Sequence, residues 1–252
     1  MSRRWQGDST PASDGGFTLV EMLVAMSIFA VLGTVMLSVV MGARASTVSS
    51  NQAHDINEES RVAMNRISRE LRQAIVISAV QNPDGSAFST TSVTFVTFKA
   101  DFNGDKCIDG VAIAAVGSVT CMAADPNQPE QLTYCYDPDP SRQQLSIVPG
   151  MLALGSTTCD PAGSGALPIL AGHVTGFKLE YRSNAYLWDA NADGVTTWSE
   201  LDAADPPVGD HDGNINTGEL ANVDSVVINL SMLEGLHRQS YRTQVDLRNL
   251  SR

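Results

Sequence analysis

The chain has 252 residues, enough for one ordinary domain with an appendage or for two small domains. It carries 28 acidic against 16 basic residues, a formal net charge of -12, and only Lys99, Lys106 and Lys178 as lysines. That balance argues against a nucleic-acid partner, which needs a basic footprint, and suits cation binding instead.

Residues 1–16 form a short polar leader that ends in Gly15-Gly16. Phe17 opens an apolar run that continues to Ala43, 27 residues in which Glu21 is the one charge. A helix of about 20 residues spans the hydrocarbon core of a bilayer, so residues 17–43 are predicted to cross a membrane. Arg3 and Arg4 on the leader side are consistent with a cytoplasmic N-terminus, and Arg44 beyond the span makes that asymmetry thin. A carboxylate inside such a span is costly unless it is paired or neutralised, so Glu21 is a candidate functional residue. An ordinary secretory signal is cut after its apolar region, whereas here the glycine pair precedes it.

Gly16, Phe17, Thr18-Leu19 and Glu21, at positions -1, +1, +2/+3 and +5 of a cut after Gly16, resemble the signal of type IV prepilins. That family includes pilins and the pseudopilins of type II secretion. The resemblance implies cleavage between Gly16 and Phe17 by a prepilin peptidase, methylation of the new amino group of Phe17, and retention of the apolar helix. It further implies that Glu21 pairs with the Phe17 amine of a neighbouring subunit and sets the axial register. The implied location is the inner membrane, single-pass with the head outside the cytoplasm, and then a filament. The implied partners are other pilin or pseudopilin subunits, the peptidase and an inner-membrane assembly platform.

No proline occurs between Pro11 and Pro83. Ile56, Ala63, Ile67, Leu71 and Ala74 recur at spacings of 7, 4, 4 and 3, one face of a helix. Glu58, Arg61, Arg66 and Glu70 lie mostly off that stripe, where Glu58–Arg61 and Arg66–Glu70 can pair along the helix. Residues 44–80 therefore read as an amphipathic continuation of the membrane helix. One helix from about Phe17 to about Val80 would be roughly 95 Å long. Ile67-Ser68-Arg69-Glu70-Leu71-Arg72-Gln73-Ala74 resembles PilW-type minor pilins and the J-type pseudopilin.

Beyond Asn82-Pro83-Asp84-Gly85 the pattern changes to strands. Ser92–Phe98, Val111–Val116, Gln131–Tyr136, Gln143–Val148, Val174–Tyr181, Asp224–Leu233 and Tyr241–Leu247 are rich in β-branched and aromatic residues. Residues 81–252 thus form a β-rich head, and the fold class is α+β, a long N-terminal helix on an antiparallel sheet. A hairpin is predicted around Glu234–Arg238, and its ending, Val245-Asp246-Leu247-Arg248-Asn249, resembles the last strand of PilW-type minor pilins.

Cys107, Cys121, Cys135 and Cys159 all lie in this head, with no CxxC pair among them. Outside the cytoplasm two disulfides are expected. Of the three possible pairings, Cys107–Cys121 with Cys135–Cys159 closes the shortest loops.

Three loops carry oxygen donors at calcium-binding spacing. Asp189, Asn191, Asp193, the Val195 carbonyl, Thr197 and Glu200 occupy positions 1, 3, 5, 7, 9 and 12 of an EF-hand-like loop, with Gly194 at the sharp turn. Thr196 stands at position 8, where EF-hands usually carry an apolar residue, which counts against EF-hand pairing but not against the metal site. Asp210, Asp212, Asn214, the Asn216 carbonyl and Glu219 form a second candidate, with the closing ligand either Glu219 or a residue from elsewhere. Asp101, Asn103, Asp105 and Asp109 form a third, which Asn-Gly-Asp turn chemistry alone would also explain. Structural Ca²⁺ is the expected cofactor.

His54, His173, His211 and His237 are scattered, and no GxSxG, HExxH or phosphate-binding glycine loop occurs, so no enzyme is expected. The leading expectation is a minor pilin of a type IV pilus. A type II secretion pseudopilin and a calcium-stabilised adhesive tip subunit, with Tyr186, Trp188 and Trp198 as a contact surface, are the alternatives.

Overall fold

The computed structural model describes residues 16–82, 93–104, 107–108, 111–112, 121, 129–139, 141–160, 163, 165–170, 172–184 and 188–247. The chain divides into two compact units, one ending at Asn51 and one beginning at Gln52.

The first unit is helical from Leu19 and belongs to α1 (Leu19–Arg72). Its large apolar side chains, from Phe17 through Met41, are all exposed. Ser27, Thr34, Ser38 and Thr47 turn their hydroxyls back onto carbonyls of the preceding turn, at 2.5–2.9 Å, which satisfies these four donors within the helix. The segment is long and apolar enough to cross a membrane.

In the second unit α1 is amphipathic and buries Ile56, Ser60, Ala63, Met64, Ile67 and Leu71. The predicted stripe is thus the packed face. Arg66 Nε donates to Glu70 Oε1 at 2.9 Å, as the helical spacing predicts. The helix ends at Arg72, earlier than the predicted Val80, and Ala74–Gln81 is a strand, β1. The physical reason is the β-branched content of Ile75, Val76, Ile77 and Val80, side chains stiff in helices and well accommodated on a pleated sheet.

The other strands are β2 (Thr94–Ala100), β3 (Cys107–Ile108), β4 (Val111–Ala112), β5 (Gln131–Asp137), β6 (Gln144–Pro149), β7 (Leu167–Leu170), β8 (Val174–Ser183), β9 (Thr196–Thr197), β10 (Ser225–Glu234) and β11 (His237–Asp246). Two short helices, α2 (Trp198–Asp202) and α3 (Thr217–Leu220), lie between β9 and β10. The strands form a five-stranded sheet in the order β1-β2-β5-β6-β7, a four-stranded sheet β11-β10-β8-β9 and the pair β3-β4. Every pairing is antiparallel. The predicted C-terminal hairpin is β10–β11, continuous in register from Ser225↔Asp246 to Glu234↔His237.

Helix α1 and both large sheets share one core, which includes Ile67 and Leu71 together with Phe98, Tyr134, Leu179 and Ile228. Phe95, Cys135, Val148, Leu152 and Cys159 form a second, smaller cluster with Val93. Neighbours along β2 therefore go to different clusters, which is the period-two consequence of the pleat. Cys107 is bonded to Cys121 and Cys135 to Cys159, closing loops of 14 and 24 residues.

Candidate functional site

Thr18 is the N-cap of α1. Its Oγ1 accepts the Glu21 N–H at 3.3 Å, and Glu21 Oε2 accepts the Thr18 N–H at 3.3 Å and the Thr18 hydroxyl at 3.2 Å. This is a reciprocal capping box, which satisfies two donors that a helix start otherwise leaves free. The carboxylate also sits at the positive end of the helix dipole, where negative charge is favoured. Glu21 is therefore partly satisfied within its own chain and keeps Oε1 for a further partner.

In the head, the loop from Asp189 to Glu200 runs into β9 and α2. Asp189 Oδ2 accepts the Gly194 N–H at 2.8 Å, Asn191 Oδ1 the Asp193 N–H at 2.8 Å, and Asp193 Oδ1 the Val195 N–H at 2.8 Å. Gly194 has φ 84°, which only glycine adopts freely. Glu200 Oε2 accepts the Thr197 N–H at 2.8 Å and its hydroxyl at 2.9 Å, the capping box of α2. Glu200 Oε1 is buried without a hydrogen-bond partner.

The next loop folds back on α2. Asp202 Oδ1 accepts the Asp212 N–H at 3.1 Å and Oδ2 the Gly213 N–H at 3.2 Å. Asn216 Nδ2 donates to Asp210 Oδ2 at 2.9 Å, while Asn216 Oδ1 accepts the N–H groups of Gly218 and Glu219 and so caps α3. Glu219 closes that capping box by accepting the Asn216 N–H at 2.9 Å. Leu201 and Leu220, both buried in the main core, anchor the two helices. Asp202, Asp210 and Glu219 each offer a carboxylate oxygen, and these oxygens all lie within 4.8 Å of one another. Burial raises the pKa of Glu219, and the Asp202, Asp210 and Asp212 carboxylates push it the same way against the Asn216 N–H.

Residues 12–37 match the family model of the prokaryotic N-terminal methylation motif. Over this N-terminal stretch the chain is similar to type IV pilin-like precursors. No match was found among curated proteins or solved structures. The matched motif spans Gly16, Phe17 and Glu21 and opens the apolar half of α1. The S/T-x-x-E spacing of Thr18 and Glu21 was the sequence signal for the capping box, and the membrane reading of the segment passed over it.

The structure ranks the three predicted loops differently from their spacing. Asp189, Asp193 and Glu200 belong to the best sequence match, yet among the described residues the tight carboxylate group is Asp202, Asp210 and Glu219. Asp202 had no signal of its own, since it lies outside both spaced motifs. In the third loop, Asp101 Oδ1 accepts the Gly104 N–H at 2.7 Å, a local turn contact, and Asn103 Nδ2 donates to the distant Glu130 Oε1 at 2.8 Å. Asp105 and Asp109 lie outside the described residues, as do the leader up to Gly15 and Tyr186. Trp188 and Trp198 are partly buried against the main core, so they are packing residues first.

Proposed function

We propose that this precursor is a minor pilin, PilW-like, of a type IV pilus. The peptidase cuts between Gly16 and Phe17 and methylates the Phe17 amine. The apolar half of α1 first anchors the protein in the inner membrane, with the head outside the cytoplasm, and then packs among other subunits. The carrying observation is the methylation motif at residues 12–37 together with the exposed apolar side chains behind it. Glu21, with Oε1 free of the capping box, pairs with the methylated amine of a neighbour and fixes the helix register. Ca²⁺ held by Asp189, Asn191, Asp193, the Val195 carbonyl, Thr197 and Glu200 stiffens the head, where buried Glu200 Oε1 lacks a partner.

The test is mass spectrometry of the N-terminal peptide from membranes and from sheared surface filaments. The expected peptide begins at a monomethylated Phe17 and occurs in both fractions. An uncut N-terminus overturns the processing. Loss of secretion with filaments intact in a deletion strain would move the chain to the pseudopilins. For the first loop, the purified full-length protein in detergent should melt higher in millimolar Ca²⁺ than in chelator, and Asp189→Asn should reduce that difference.

A further inference from the structure

We infer that Asp202, Asp210 and Glu219 form a second cation site, separate from the EF-hand-like loop and made for Ca²⁺. Glu219 has none of its surface exposed. One of its oxygens caps α3 by accepting the Asn216 N–H, and the other, Oε1, is buried with no hydrogen-bond partner. A buried carboxylate oxygen with nothing to accept from is costly, more so beside two further carboxylates. Among the described residues no salt bridge reaches any of the three. A divalent cation removes both costs at once. Two oxygens on opposite sides of a calcium ion, each at about 2.4 Å, lie about 4.8 Å apart. One oxygen from each of the three carboxylates lies within 4.8 Å of the other two, close enough for all three to reach one such ion. A purely oxygen donor set selects a hard cation over zinc or copper.

The site is built by the chain reversal after α2. Gly209 lies against the backbone carbonyls of Leu201, Asp202 and Ala204, which brings Asp210 back beside Asp202. The Asn216 side chain then ties Asp210 to the start of α3, which carries Glu219. No single spaced motif contains all three residues, so the site exists only in the fold. It stands whether or not the first loop binds, and it does not depend on the pilin reading.

The test is calorimetric titration of the full mature protein in detergent, stripped with chelator, with CaCl₂ and in parallel with MgCl₂. The variants are Glu219→Gln, Asp210→Asn and, for the first loop, Asp189→Asn. The expected result is a calcium equivalent that survives Asp189→Asn and is weakened about tenfold or more by Glu219→Gln and by Asp210→Asn, as loss of a charged ligand requires. Gln at 219 can still accept the Asn216 N–H, so the cap is kept. If near-ultraviolet circular dichroism shows that Glu219→Gln is misfolded, the exposed Asp210→Asn decides. Unchanged calcium binding in a folded Asp210→Asn or Glu219→Gln variant overturns the site. So does tighter binding of Mg²⁺ than of Ca²⁺, or calcium binding that Asp189→Asn alone abolishes.

Discussion

A β-carbon on Gly209 would lie 2.3 Å from the carbonyl oxygens of both Leu201 and Asp202. Those atoms are backbone, so relief requires the reversal after α2 to open. Gly209→Ala is expected to destabilise the head by about 1–3 kcal/mol or more, read by denaturant unfolding, through overpacking alone. Tyr136 sets a different limit. Burial, with a smaller push from Asp137, raises its hydroxyl from 10.0 to about 12, and the hydroxyl donates to the Val174 carbonyl at 3.2 Å. Below the unfolded value the phenol is neutral in both states and its packing is fully retained. As pH rises from 10 toward 12 the unfolded chain ionises first and stability falls. Alkaline denaturation in that window should be blunted in Tyr136→Phe. Such environments depend on how the chain folds back on itself, so neither residue carried a signal in the sequence.

At the scale of elements, legibility followed length and periodicity. The stripe of Ile56, Ala63, Ile67 and Leu71 gave the buried face of α1, because a repeat near 3.6 over several turns has few other readings. The end of α1 was misplaced because Ala74 continues the stripe while Ile75, Val76 and Ile77 already favour a strand, and pairing with β2 decides the contest. β7 and β9, with four and two residues, are too short to show a period. The oxygen spacings of the two described loops on either side of α2 were readable. Their convergence was not, since Asp202 meets Asp210 and Glu219 only after the chain turns back. Ile67 tests the helix–sheet contact directly: it is fully buried, and Ile67→Ala should cost about 2–5 kcal/mol, measured by denaturant unfolding of the detergent-solubilised chain.

For the molecule as a whole, α1 does two jobs along one sequence. Its amphipathic half completes the core of the head, and the large apolar side chains of its other half are exposed. Substitutions should therefore separate cleanly by segment. Glu21→Ala removes both the capping box and the free carboxylate. The head should melt as before, because the hydrogen bonds of Glu21 are to Thr18 of its own helix start, whereas incorporation into sheared filaments should drop severalfold when scored by immunoblot. Thr18→Ala, which removes the cap and leaves the carboxylate, should incorporate better than Glu21→Ala if axial pairing is the larger effect.

Helix α2 has five residues; Glu200 closes the loop that begins at Asp189, and Asp202 belongs to the carboxylate group with Asp210 and Glu219. A helix that short has no stability of its own in water. If both proposed sites take Ca²⁺, the first ion bound fixes this strut and leaves less disorder for the second to remove, so the two occupancies would reinforce each other. The head should then respond to calcium as a threshold, with a Hill coefficient above one for the full-length protein. Glu200→Gln should return that coefficient to one, and two independent saturation curves in the unmodified protein would show that α2 transmits nothing.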